Sequence, residues 1–193
     1  MKSEWIKAEK IMQNGGLVVL PTDTLYGLCA SAFNKKAIVK IYKIKERNKK
    51  SPLIVLITSL KDLVKFNIKL DKDQSIFLGK IWPGAVSILI SCKSSKYKYI
   101  HRGTKEIAFR MIGEKNKKLF HLIKKVGPIV APSANKESFT PAETIKEAKM
   151  YFGDEVDLYL NGGKRTGAPS TLVRVSKDNI EILRQGIVKI NIK

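Results

Sequence analysis

Three features of the sequence predict an α/β fold built on one twisted mixed sheet with flanking helices. Short apolar runs bounded by Pro, Gly or polar clusters (LVVL at 17–20, PLIVLI at 52–57, AVSILI at 85–90) read as buried strands. Between them lie segments with apolar residues at helical spacing, such as Ala37, Ile38, Ile41 and Tyr42 behind a cap at Asn34. Helices and strands alternate first, then strands crowd together near the C-terminus (VDLYL, TLVRV, IEILR), which argues for a mixed sheet. The 193 residues are 44% hydrophobic and show no internal repeat or linker, so residues 1–193 are expected to form one domain.

The elements follow in order. Ser3 caps a first helix carrying Ile6, Ile11 and Met12, which the glycines at 15 and 16 stop. Strand 17–20 ends at Pro21. Asn34 opens a helix over 35–46, and 52–57 forms the second strand. Asp71 starts a helix reaching Ile81; Trp82-Pro83-Gly84 then leads into strand 85–90. IAFR (107–110) and PIVA (128–131) are further strands, with a helix over 119–126 between them. Thr140-Pro141-Ala142-Glu143 reads as a capping box with proline at the first helical position.

Composition narrows the function. The charged N-terminus lacks the apolar core of a signal peptide, and no apolar run approaches the roughly 18 residues of a membrane span. Two distant cysteines, Cys29 and Cys92, form no CxxC pair, so a reducing cytosol is the expected setting. His101 and His121 stand apart from other metal ligands, which disfavours zinc sites and histidine triads. The formal charge of +20 favours polyanionic partners, nucleotides and RNA included. It is spread over both halves and comes from 31 Lys and only 6 Arg, as on a solvated basic surface, with one denser run over 35–50.

Polar doublets recur after the apolar elements. LVVLP runs into Thr22-Asp23-Thr24, PIVAP into Ser133-Ala134-Asn135, and the helix 35–46 into Lys45-Glu46-Arg47. On extended backbone, residues i and i+2 point the same way, so a doublet can offer two groups to one pocket. Ligands of open α/β sheets bind beyond the carboxyl ends of strands, where two of these doublets fall. Each alone reads first as a turn or cap; three together shift the balance towards a site for an anion. In a chain whose ordinary cation is lysine, Arg47, Arg110 and Arg184 stand where a planar fork would serve phosphate or carboxylate. The stretch 161–171 is no Walker A loop, because Ala168 and Pro169 follow its second glycine; it can still carry Ser170 to a site.

GGLVVLPTDTLYGL, Lys45-Glu46-Arg47, PLIVLI, WPG, FRM, APSAN, STLV and ILRQG occur in this order from about residue 5 to 190. Together they resemble the YrdC-like family, the threonylcarbamoyl-AMP synthases, in the short single-domain form. The resemblance implies a deep basic cavity on the sheet. It also implies condensation of L-threonine, bicarbonate and ATP, with release of pyrophosphate, before partner proteins modify tRNA beside the anticodon. By the same resemblance Thr24, Arg110 and Ser170 meet the amino acid. Lys45, Arg47, Ala131 (through its backbone), Ser133, Asn135, Thr140 and Arg184 meet ATP, with Lys45, Arg47, Ser133 and Asn135 closest to the chemistry. Mg²⁺ is expected to be held mainly by the ATP phosphates, with no protein metal site. Leu56, Glu106, Asn48, Ile112 and Gln185 depart from the commoner family pattern.

Two other readings are a double-stranded RNA or tRNA-binding module without catalysis and a carbamoyl-adenylate-forming enzyme. The first leaves the Thr and Ser-x-Asn doublets without a task, and the stand-alone length argues against the second.

Overall fold

A computed structural model describes residues 2–48, 51–176 and 179–190. Lys49 and Lys50, at the end of the basic run, lie outside the described residues. Six α-helices and nine strands are present among those described: α1 (Lys2–Gln13), β1 (Val18–Pro21), β2 (Tyr26–Ser31), α2 (Lys35–Ile44), β3 (Ile54–Ile57), α3 (Lys72–Ile81), β4 (Val86–Ser91), α4 (Lys98–His101), β5 (Glu106–Met111), α5 (Lys117–Val126), β6 (Ile129–Val130), α6 (Ile145–Phe152), β7 (Leu158–Tyr159), β8 (Thr171–Ser176) and β9 (Asn179–Arg184).

The strands form one mixed sheet in the order β7-β1-β2-β6-β3-β5-β4-β8-β9. β1–β2, β2–β6, β3–β6, β4–β5 and β8–β9 are antiparallel, whereas β1–β7, β3–β5 and β4–β8 are parallel. Caps work where the sequence places them: Asn34 accepts from the Ala37 amide at 2.9 Å, and Asp71 and Gln74 form a reciprocal capping box.

Three local expectations are corrected. Residues 140–143 are not helical; the Ala142 amide bonds the Ala134 carbonyl, and the cap is Thr144, whose hydroxyl accepts from the Glu147 amide at 3.3 Å. Thr144-x-x-Glu147 is the same capping signature four residues on, and Glu147 also accepts from the Glu143 amide at 2.8 Å. Ser3 lies within α1 rather than capping it. Helix α2 ends at Ile44, before Lys45, because Glu46 turns left-handed at φ 53°. Strand β2 goes unpredicted: YGLCAS is poor in β-branched residues, and the hairpin from β1 makes it a strand.

Two apolar layers sandwich the sheet. On one face α2, α3 and α6 pack residues such as Ile41, Leu78 and Phe152 against Val19, Val55, Phe109 and Ile88. On the other, α1 and α5 place Ala8, Met12, Leu119 and Leu122 over Val18, Leu20, Cys29, Leu56 and Ile129. The residues under α1 and α5 come from β1, β2, β3 and β6. Farther along the same face, β5 and β4 carry Arg110 and Ser87, each alternating with residues of the first core. That exchange of apolar for polar side chains positions the site.

Candidate active site

The turn between β1 and β2 is made by its own sequence. Thr22 donates its hydroxyl to the Leu25 carbonyl at 2.7 Å and its amide to the same oxygen at 3.0 Å. Thr22 is therefore a turn residue, while half-buried Thr24 lines the recess, with the two hydroxyl oxygens 3.4 Å apart. Beside it, the chain leaving β6 continues pairing with the start of β2. The Leu28 amide bonds the Pro132 carbonyl at 2.9 Å, and the Ala134 amide bonds the Tyr26 carbonyl at 2.8 Å. Sheet pairing thus brings Thr24 and the Ser133–Asn135 turn to one place.

Lys45 approaches from the end of α2. It is 1% exposed, and its Nζ donates to the Ser133 carbonyl at 2.5 Å, to the Asn135 carbonyl, and to Asn135 Oδ1 at 3.4 Å. Burial, then the Arg47 charge, pull its pKa down to about 7, while Glu137 acts the other way. The three oxygens around Nζ also favour the charged form. Ser133 Oγ donates to Asn135 Oδ1 at 2.6 Å, and Asn135 Nδ2 reaches the Lys136 and Phe139 carbonyls. The backbone between Lys45 and Arg47 is not extended, so the two side chains take different hydrogen-bond partners although the Arg47 charge still reaches Lys45. Arg47 instead donates from Nη2 to the Pro52 carbonyl at 3.1 Å, leaving its buried Nε without a partner.

Arg110 sits on β5, 3% exposed, with Nη2 2.9 Å from Asp23 Oδ1. The contact is an ion pair without hydrogen-bond alignment, so Asp23 Oδ1 and Arg110 Nε both keep unused capacity. Burial lowers the Arg110 pKa, and the Asp23 carboxylate opposes that. Arg184 is pulled down by burial, then by Arg110 and Arg47, so three guanidinium groups lie within electrostatic reach of one another. Arg184 donates from Nη2 and Nε to the Ser170 carbonyl at 2.9 and 3.3 Å. Glycine is required at 186: a Cβ there would lie 2.2 Å from the Pro169 carbonyl oxygen, so the tail clamps the segment that carries Ser170.

Thr24, Gly27, Ile54, Arg110, Ala131, Ser133, Ser170 and Arg184 all line one recess, with a cavity of about 60 Å³. That is room for about two waters, a tight inner end rather than a wide basin. Eight of the ten residues expected from sequence thus converge on the recess or on the turn beside it: Thr24, Lys45, Arg110, Ala131, Ser133, Asn135, Ser170 and Arg184. Arg47 joins them through its charge, and Thr140 stands exposed on the following loop, its carbonyl accepting from Tyr151. Sequence reasoning assigned no role to Asp23 and passed over Ser87, whose hydroxyl lies 2.8 Å from that of Ser170. For Ser87 the one signal was a hydroxyl inside the apolar run AVSILI.

Other chemistry is spoken for elsewhere. Cys29 is buried, and burial pushes its thiol well above the ordinary range despite Arg110 nearby. Glu106 pairs with Arg174 at 3.1 Å, and Arg174 also holds Glu181 at 2.8 Å. Leu56 is fully buried under α1 and α5. Among the described residues no three His, Cys, Asp or Glu side chains gather as a metal site, and no helix is long and apolar enough to cross a membrane.

Fold and site together define an α/β protein with a small recess lined by hydroxyls and by the guanidinium groups of Arg110 and Arg184. The sequence profile for Sua5, YciO and YrdC proteins, described as "Telomere recombination", matches residues 10–186, and the chain belongs to that family. Among its relatives, the threonylcarbamoyl-AMP synthase of Bacillus subtilis is 31% identical over 185 residues, covering 93% of this chain and 52% of that protein. A putative threonylcarbamoyl-AMP synthase of Mycobacterium tuberculosis is 28% identical, covering 95% of this chain and 84% of that protein. The crystal structure of Pyrococcus abyssi Sua5 complexed with L-threonine superposes with a TM-score of 0.87 at 26% identity, over 96% of this chain and 55% of that one. Escherichia coli YciO gives 0.85 at 21% identity, over 98% and 92%, and shares the fold. The chain spans about half the length of the Bacillus and Pyrococcus proteins.

Proposed function

We propose that this chain is a threonylcarbamoyl-AMP synthase, a nucleotidyltransferase that condenses L-threonine, bicarbonate and ATP and releases pyrophosphate. The observation that carries the reading is the convergence of Thr24, Arg110, Ser133, Ser170 and Arg184 on one recess. Relatives named threonylcarbamoyl-AMP synthase and a Sua5 structure with L-threonine support it.

The chemistry asks for positions and charge rather than an enzyme nucleophile. Once the threonine ammonium has given a proton to water, its nitrogen attacks the bicarbonate carbon. Hydroxide departs with a proton as water, and a carbamate remains. A carbamate oxygen then attacks the α-phosphorus of ATP, the bond to the β-phosphate oxygen breaks, and pyrophosphate leaves. Arg110, whose buried Nε–H has no partner, takes the amino-acid carboxylate, and the Thr24 and Ser170 hydroxyls orient the rest. Arg47 and Arg184 neutralise phosphate charge as it shifts to the leaving group. Ala131, Ser133 and Asn135 hold the nucleotide, with exposed Thr140 open to it from the loop. Lys45 we assign a holding role instead of a phosphate contact, because Nζ is already directed at three protein oxygens. The recess offers guanidinium groups and hydroxyls, and its nearby carboxylate, Asp23, already faces the Arg110 charge. Mg²⁺ fits this setting only as a partner of nucleotide phosphate oxygens and water, where it would offset phosphate charge.

The product is a mixed anhydride, suited to transfer by partner proteins onto a tRNA adenosine beside the anticodon. The dispersed lysines add weak, salt-sensitive attraction for tRNA. The test is pyrophosphate release with each substrate omitted in turn. Release that requires ATP, L-threonine and bicarbonate together is expected; turnover indifferent to threonine overturns the reading.

A further inference from the structure

Ser87 lies on β4 between Val86 and Ile88, both buried in the main core, and its side chain projects to the opposite face. It is fully buried, and its Oγ stands 2.8 Å from Oγ of Ser170, itself 1% exposed. A serine here is not what strand packing selects: the other buried positions of β4, Leu89 on the same face and Val86, Ile88 and Ile90 on the other, are all branched aliphatics. The hydroxyl therefore has a task beyond filling space.

Each of the two hydroxyls owns one proton, and one of them must donate to the other. If Ser170 donates to Ser87, it meets a ligand only as an acceptor. If Ser87 donates, Ser170 keeps its proton for a ligand oxygen. The recess that Ser170 lines also holds Arg110, a cation with an unpaired buried Nε–H, so the ligand oxygens expected there are anionic. An anionic oxygen needs donors. Ser170 is already fixed through its carbonyl, which accepts from Arg184 at 2.9 Å, while Ile187 bonds the Pro169 carbonyl at 2.9 Å. Backbone clamping sets where Ser170 sits; the direction of its hydroxyl is set by Ser87.

We propose that Ser87 is a positioning residue for the amino-acid substrate: it donates to Ser170 Oγ so that the Ser170 proton points at the substrate carboxylate beside Arg110. The proposal rests on the L-threonine reading above. It acts through Ser170 and leaves the nucleotide end untouched.

The experiment is steady-state pyrophosphate release by wild type, Ser87→Ala, Ser87→Thr, Ser170→Ala and the double variant Ser87→Ala/Ser170→Ala, varying L-threonine and ATP separately. Ser87→Ala should raise KM for L-threonine about tenfold, the equivalent of about 1.4 kcal/mol, with KM for ATP within twofold. Ser87→Thr keeps the hydroxyl and should restore most of the loss. The double variant should be no worse than Ser170→Ala, because Ser87 has nothing to orient once the Ser170 hydroxyl is gone. Additive losses, an unchanged threonine KM in Ser87→Ala, or equal rises in both KM values overturn the role of Ser87 and leave the reaction standing. A wild-type enzyme that turns over without threonine overturns the reaction and this role with it.

Discussion

Replacing Lys45 with Met separates holding a turn from clamping a phosphate. In the native protein the ammonium is buried and donates to the Ser133 and Asn135 carbonyls, with a longer third contact to Asn135 Oδ1. Hydrogen bonds from a charged group are worth about 1.5–3 kcal/mol each, so the two good ones contribute roughly 3–6 kcal/mol. Against this stands the cost of burying the charge. Burial, with the Arg47 charge behind it, disfavours the ammonium and brings its pKa from 10.5 to about 7. The two effects oppose each other, and methionine fills the space with no charge to desolvate. Lys45→Met should therefore shift Tm by only a few degrees, each kcal/mol being worth roughly 2–4 °C in a chain of this size. Activity should respond differently. The Ser133–Asn135 turn loses its strut, and a turn displaced by about 1 Å costs on the order of a hundredfold in kcat/KM. Lys45→Arg is expected to fail as well, because a planar fork does not fit three oxygens arranged around one nitrogen. The assays are thermal unfolding and kcat/KM for ATP on the same preparations. Lys45→Arg retaining activity, with Lys45→Met raising only KM for ATP, would refute the reasoning and return Lys45 to the phosphates.

Four further outcomes follow from the site. Arg47→Lys should lower kcat/KM for ATP by roughly thirty- to thousandfold, the equivalent of about 2–4 kcal/mol, because a point charge cannot replace the fork; Lys49→Ala and Lys50→Ala should stay within severalfold at moderate salt. Similar, salt-sensitive losses in all three variants would make Arg47 an ordinary surface cation. Asp23→Asn strips the counter-charge from buried Arg110, which should cost about 3–5 kcal/mol and lower Tm by on the order of 10 °C; an unchanged Tm would mean the ion pair is dispensable. Thr24→Val should weaken L-threonine binding, measured by calorimetry, by about 1–3 kcal/mol while sparing ATP, and equal losses would contradict a contact between Thr24 and the amino acid. The last concerns pH. The Lys45 pKa is depressed in the folded state, so between about 7 and 10.5 the unfolded chain binds more protons. Stability of wild type relative to Lys45→Met should therefore rise as pH climbs through that window and be lost as pH falls towards 7, as read by denaturant unfolding at each pH.

The sequence by itself determined the elements whose cause is local. Asn34 and Asp71 cap the helices they were expected to cap, since a cap needs only a side chain and an amide two or three residues on. The apolar strands follow from their own runs, and the order of PTDT, KxR and SxN carries the family. Local signals also mislead where two compete. Thr140 and Thr144 both precede a Glu by three, and pairing of Ala142 with Ala134 gave the helix to the second. Strand β2 carries no β signature and exists because β1 and β6 flank it. Only the tertiary structure decided what the polar residues do. Lys45 and Arg47 are two residues apart, yet one is buried against the Ser133 and Asn135 carbonyls and the other lies within reach of the Arg184 charge, because a left-handed Glu46 turns the chain between them. Asp23 meets Arg110 across 87 positions, and Ser87 meets Ser170 across 83. No periodicity or spacing encodes those meetings; they arise from strand order in the sheet, which is set by how the whole chain buries its two apolar faces.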